Sequence, residues 1–167
     1  MPGGCIVKTI VIVGTGSGCG KTTVACRILR AVPGLGAVKV SPRQEPVRVE
    51  WGAGSPGKDT DRYAGCGAAP VARIVAPRDQ VAAAWEGVRG GFEGCRGVVI
   101  EGSRGLEIPA DRLVVFVRGD RSRELRPGRE AELASKADFV IERVPPEESE
   151  GLLESIRSFL SDPIRGA

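Results

Sequence analysis

The run Val11-Ile12-Val13-Gly14-Thr15-Gly16-Ser17-Gly18-Cys19-Gly20-Lys21-Thr22-Thr23 constrains this chain more than any other segment. An apolar stretch ends in glycines, and Gly-Lys-Thr-Thr then opens a helix-compatible segment. That order is strand, phosphate-cradling loop, helix. Glycines let successive backbone N–H groups turn inward around anionic oxygens, and the helix start adds partial positive charge. Thr15, Gly16, Ser17, Gly18, Cys19, Gly20, Lys21, Thr22 and Thr23 are the expected contacts to a nucleoside triphosphate. Lys21 is expected to reach the β- and γ-phosphates, and the Thr22 hydroxyl to bind Mg²⁺. The strict pattern asks for glycine five residues before Gly20; this chain has Thr15 there, with Gly14 one position earlier. The bland alternative is an ordinary glycine-rich turn.

A length of 167 residues with 41% hydrophobic content suits one globular domain, residues 1–167, around a single core. No stretch approaches the roughly 18 apolar residues of a membrane span, and the start lacks a basic-then-apolar leader pattern. A cytoplasmic protein without membrane partners is expected. The five cysteines are scattered, without CxxC spacing, and the chain has no histidine, which argues against disulfides and a structural zinc site. Cys19 reads either as a small loop filler or as a redox-sensitive thiol beside phosphate. The formal net charge is only +3. The stretch Arg118 to Arg129 interleaves arginines with acids and lacks aromatics. It reads as a solvated, anion-attracting loop and not as a nucleic-acid groove.

Along the chain, Ile6 to Val13 reads as a strand covered on both faces, with Lys8 marking an early part near the surface. Thr22 to Val32 is the first helix, closed by Pro33-Gly34, and Ala37 to Ser41 a second strand. Arg43 to Lys58 is a long loop in which Val47, Val49 and Trp51 alternate with polar residues, suggesting a hairpin arm. A short helix is expected over Thr60 to Cys66, a strand over Val71 to Val75, and an amphipathic helix over Asp79 to Val88 with Trp85 facing the core. Val98 to Ile100, Leu113 to Val117 and Asp138 to Ile141 read as strands. A last helix, Glu148 to Leu160, buries Leu152, Leu153, Ile156, Phe159 and Leu160 before Pro163. This alternation predicts a three-layer α/β domain of P-loop NTPase type, with a mainly parallel central sheet and ligands at the carboxyl ends of the strands.

Glu101 directly follows Val-Val-Ile and precedes Gly102. A carboxylate there enters the crevice of the phosphate loop and suits Mg²⁺, directly or through water; otherwise it caps the next turn. Asp59 and Asp61 fall near the start of the short helix. Asp59 is read as its N-cap or as a ligand of Mg²⁺ or of metal-bound water, and Asp61 as a first-turn acid or a second functional carboxylate. Lys39, at a strand end, is placed to neutralise a phosphoryl or acidic group. Lys21, Asp59 and Glu101 form the candidate catalytic set, with Thr22, Asp59 and Glu101 as metal ligands. Base selectivity has little signal: Glu142 reads either as a guanine acceptor or as a solvent-facing acid.

Taken together, four stretches resemble the MobB family of GTP-binding accessory proteins in molybdopterin-guanine dinucleotide biosynthesis. They are Gly20-Lys21-Thr22-Thr23, the strand ending near Lys39, Pro56-Gly57-Lys58-Asp59-Thr60-Asp61-Arg62 with Ala64-Gly65 and Gly67-Ala68, and Val99-Ile100-Glu101-Gly102 with Ile108-Pro109 downstream. Where that family carries histidine after the lysine, this chain has Val40-Ser41-Pro42. The resemblance implies a protein that binds GTP with Mg²⁺, hydrolyses it slowly, forms a homodimer and aids a molybdopterin nucleotidyltransferase. Dethiobiotin synthetases are also similar, through Gly14-Thr15, the strand-end lysine and Glu101-Gly102. They imply the alternative of ATP-dependent phosphorylation of a carboxylate or carbamate. A third alternative is a regulatory module that binds nucleotide without hydrolysing it.

Overall fold

Short runs of valine and isoleucine bounded by glycine or proline build the centre of the molecule. The structure, a computed structural model, describes residues 7–119, 128–142 and 149–164. Its strands are β1 (Thr9–Gly14), β2 (Leu35–Pro42), β3 (Arg48–Trp51), β4 (Val71–Ala76), β5 (Gly97–Glu101), β6 (Arg112–Val117) and β7 (Phe139–Ile141). They form one sheet in the order β3-β4-β2-β5-β1-β6-β7. Every neighbouring pair is parallel except β3–β4, at one edge.

Side chains alternate across a strand, so each strand feeds two apolar layers. Ile10, Ile12, Val99 and Val115 pack with α1 (Lys21–Ala31), α2 (Asp59–Gly65) and α5 (Ser149–Ser161) through Val24, Ile28, Tyr63 and Ile156. Val11, Val13, Val38 and Ile100 pack on the other face with α3 (Val81–Val88) and α4 (Arg129–Lys136) through Trp85 and Leu133. The result is the expected three-layer α/β arrangement with a mostly parallel sheet. No described helix is long and apolar enough to cross a membrane.

Several expectations are corrected. Lys8 is buried, not near the surface: its ammonium donates to the carbonyl oxygens of Phe159 and Asp162, around the end of α5. Carbonyls at a helix C-terminus carry partial negative charge, which makes that burial tolerable. The Val47–Trp51 alternation is no hairpin arm: β3 pairs antiparallel with β4 as an edge strand. The segment preceding α3 is a 3-10 turn, Arg78–Gln80. Helix α4 was not expected, because Leu133 is its only buried residue and leaves no apolar period to read. Leu160 is only partly buried. Ile6, Glu148 and the 120–127 part of the arginine-rich stretch lie outside the described residues.

Candidate functional site

Strand order decides which residues meet. Strands β2 and β5 are neighbours, and their register sets Lys39 opposite Glu101. Both follow the parity of Ala37 and Val99, which belong to the layer of α1 and α2. At the next residue, Gly102, the backbone takes φ 138°, and a Cβ would stand 2.7 Å from the Val40 carbonyl oxygen. Only glycine lets β5 end so close to β2.

Helix α1 brings Thr22 to this point, and α2 brings Asp59 and Tyr63. The Thr22 hydroxyl lies 3.1 Å from Asp59 Oδ1 and 3.0 Å from Glu101 Oε2. Lys39 Nζ bridges the two carboxylates, 2.8 Å from Asp59 Oδ2 and 2.7 Å from Glu101 Oε1. The Tyr63 hydroxyl donates to Glu101 Oε2. Glu101 is almost wholly buried, 1% exposed. Burial works against the Lys39 cation, but the Glu101 and Asp59 charges outweigh it and raise its pKa above the ordinary value. Burial likewise opposes the Asp59 anion, yet the hydrogen bond and charge of Lys39, with Thr22, hold its pKa below the usual range. Burial, then the Glu101 charge, push the Tyr63 phenol up, so it stays a donor.

The donor set suits a hard divalent cation. A hydroxyl has one proton to donate, and here it faces two carboxylates whose only ion-pair partner among the described residues is the Lys39 ammonium. The cluster is therefore short of positive charge. Among the described residues no group of three or more His, Cys, Asp or Glu could hold a metal ion alone. Mg²⁺ does not ask for such a cage: one or two carboxylates, phosphate oxygens and water suffice. Thr22, Asp59 and Glu101 fit that role beside a phosphate.

The glycine-rich loop lies next to this cluster. A Cβ on Gly14 would meet Cys19 Sγ at 2.4 Å and the Val117 carbonyl oxygen at 3.0 Å. Glycine is thus needed at position 14, where packing is tightest, and Thr15 is free to serve differently. Thr15 is buried; its N–H donates to the Val117 carbonyl and its hydroxyl accepts from the Gly119 N–H, tying the loop to the end of β6. Cys19 fills the space between Gly14 and Gly119, which is the filler role. Lys21 arches back so that Nζ lies 2.6 Å from the Gly16 carbonyl oxygen. Gly20 caps α1 in the left-handed region, with no side-chain cap and no acid in the first turn. Gly16, Ser17, Lys21 and Lys39 open onto a cleft of about 1150 Å³, which Arg43, Arg78, Arg104 and Arg129 also line.

Other expected residues stand apart. Asp59 begins α2, with Lys58 at the cap position, so its carboxylate is turned to Thr22 and Lys39 and not to capping. Asp61 Oδ2 accepts from the Gly57 N–H at 2.8 Å and orders the turn before the helix. Glu142 is exposed and paired with Arg118 at 2.7 Å. Thr23 is exposed on α1, outside the cleft. Sequence reasoning missed Tyr63; its place four residues after Asp59, on the same helical face, was the available signal. Of the cleft arginines, Arg129 ends the stretch read as anion-attracting, whereas Arg43, Arg78 and Arg104 each follow a different strand and share no local signal. No protein family, curated protein or solved structure matches this chain.

Proposed function

We propose that this is a P-loop protein that binds GTP with Mg²⁺, hydrolyses it slowly, and serves as an accessory to molybdopterin-guanine dinucleotide formation. The observation that carries the nucleotide part is the meeting of Thr22, Asp59 and Glu101 immediately after the glycine-rich loop. In this reading the loop and Lys21 hold the phosphates, while Thr22, Asp59 and Glu101 hold the metal. The metal supplies charge that offsets the phosphoryl oxygens. Lys39, which also lines the cleft, would be placed to neutralise the terminal phosphate once a metal balanced the two carboxylates.

Slow hydrolysis follows from the same electrostatics. Asp59, the residue nearest to serving as a base, would be committed to the metal in this reading, and a cation beside it, as Lys39 is here, holds its pKa down. A carboxylate stabilised in that way is a poor proton acceptor at neutral pH. The chain has no histidine to take its place. The preference for GTP, the homodimer and the nucleotidyltransferase partner rest on the resemblance of Pro56 to Arg62 and Val99 to Gly102 to the MobB family. The second reading, an ATP-dependent enzyme that phosphorylates a carboxylate, is favoured by the arginines lining the cleft, where an acidic substrate fits.

The test is a titration of GTP and ATP in Mg²⁺ against the protein and its Lys21→Ala variant. GTP is expected to bind more tightly, and the variant to lose about 100-fold in affinity, the worth of one or two charge-assisted hydrogen bonds. Unchanged nucleotide binding by the variant would overturn the proposal. A strict need for ATP, with turnover of a small carboxylate, would establish the second reading instead.

A further inference from the structure

We infer that the cleft holds a second ligand beside the nucleotide: a small molecule bearing at least two oxyanion groups, gripped by Arg43, Arg78 and Arg104. The inference rests on the nucleotide reading for the occupant of the other half of the cleft. Three observations carry it.

The arginines come from separate connections that share no local sequence reason to converge. Arg43 follows β2, Arg78 follows β4, Arg104 follows β5, and Arg129 opens α4. All four line one cavity with Lys21 and Lys39.

Their charges exceed what the described residues supply in return. Glu107 is shared, 2.7 Å from Arg104 and 3.5 Å from Arg78. Glu132 is shared between Arg129 at 2.8 Å and Lys136 at 2.9 Å. The Arg43 guanidinium has no ion-pair partner among the described residues. Several guanidiniums lining one cleft favour oxyanions, which their planar forks bind in bidentate fashion.

Location separates these arginines from the metal cluster, because Thr22, Asp59 and Glu101 do not line the cleft. Thr22, Asp59 and Glu101 sit on the α1 and α2 side of the sheet. The cleft lining reaches Val40 and Leu133, which belong to the opposite apolar layer, that of α3 and α4. The cleft volume of about 1150 Å³ also exceeds the roughly 300–1,000 Å³ of a site for one small molecule. The second ligand would thus occupy the cleft apart from the metal cluster, with Lys39 touching the cluster's carboxylates and lining the cleft.

Phosphate and carboxylate groups share the chemistry the arginines recognise, so the experiment uses both. Protein saturated with Mg²⁺ and a non-hydrolysable GTP analogue is titrated calorimetrically, at constant ionic strength, with fructose 1,6-bisphosphate, with tricarballylate, and with glycerol as the uncharged control. One or both anions are expected to bind, tighter for the source that matches, and glycerol not to bind. The double variant Arg43→Gln/Arg78→Gln alters two exposed side chains and keeps the core intact. It is expected to weaken anion binding about tenfold or more, with the affinity for the GTP analogue unchanged.

Absence of anion binding to the loaded protein would overturn the inference, as would binding that the double variant leaves unaltered. Anions that bind only when the analogue is absent, with analogue affinity falling in the variant, would assign the arginines to the triphosphate and also overturn it. Failure of the nucleotide reading looks different: no analogue binds, yet the arginine-dependent anion titration persists.

Discussion

Two lysines sit at opposite ends of the same parallel sheet, and each is neutralised by a different kind of partner. Lys8, just before β1, lies over the Phe159 ring at 5.1 Å and donates to backbone carbonyls around the end of α5. Lys39, near the end of β2, is held by two carboxylates. Carbonyls supply fixed partial charges that close a helix end and stop there. Carboxylates supply full charges that another cation can take over. One end of the sheet is therefore a finished structural contact, and the other an exchangeable one that opens onto a cleft.

The largest test of that difference is Lys39→Met. It leaves Glu101, 1% exposed, without a counter-ion, and breaking a buried pair by removing one partner costs about 3–5 kcal/mol. Because Lys39 and Asp59 are themselves partly open to solvent, the lower figure, about 3 kcal/mol, is expected. Millimolar Mg²⁺ should recover part of the loss, since the metal then balances the carboxylates that the ammonium left. Thermal melts of the native and variant proteins with and without Mg²⁺ measure this. Equal losses in both conditions would mean that the carboxylates do not accept a cation in place of the lysine.

The sequence already grouped Thr22, Asp59 and Glu101 as one metal-side set, but not the pairing of Lys39 with both carboxylates. Glu101 ends a Val-Val-Ile run, Asp59 precedes a helical segment, and Thr22 follows Gly-Lys, so local pattern placed each at the edge of an element. The contact of Lys39 with Glu101 needs β5 between β2 and β1, and strand order is set by tertiary packing. Lys8 was misjudged for the same reason: the carbonyls that receive it come from residues some 150 positions later. Helix α4 went unseen because one buried leucine makes no period, whereas the strands were visible as apolar runs. Thr15 departs from the strict motif because the crowding that demands glycine falls one position earlier, at Gly14.

A middle-sized effect is expected from Tyr63→Phe. The phenol donates to Glu101 from inside the α1 and α2 layer, so it positions the carboxylate without facing the cleft. Loss of one hydrogen bond to a buried charge is worth about 2 kcal/mol. The readout that separates positioning from mere stability is the Mg²⁺ concentration needed for half-maximal nucleotide binding. That concentration should rise in the variant, while nucleotide affinity at saturating Mg²⁺ recovers. A variant less stable but with an unaltered Mg²⁺ requirement would make Tyr63 a packing residue only.

The smallest effect belongs to Lys8→Met. The methionine keeps most of the apolar stem over Phe159 and removes an ammonium whose burial was itself costly. What is lost is hydrogen bonding to the Phe159 and Asp162 carbonyls. Those groups lie where the helix ends, and water can replace the donor at one of them, so a net cost of about 1 kcal/mol is expected. No carboxylate is stranded, and Mg²⁺ should therefore recover nothing. Nucleotide affinity should stay at the native value, because the substitution lies at the opposite end of every strand from the loop. Should Mg²⁺ restore the stability of this variant as it restores Lys39→Met, the rescue would be a general salt effect, and the contrast between the two ends of the sheet would collapse.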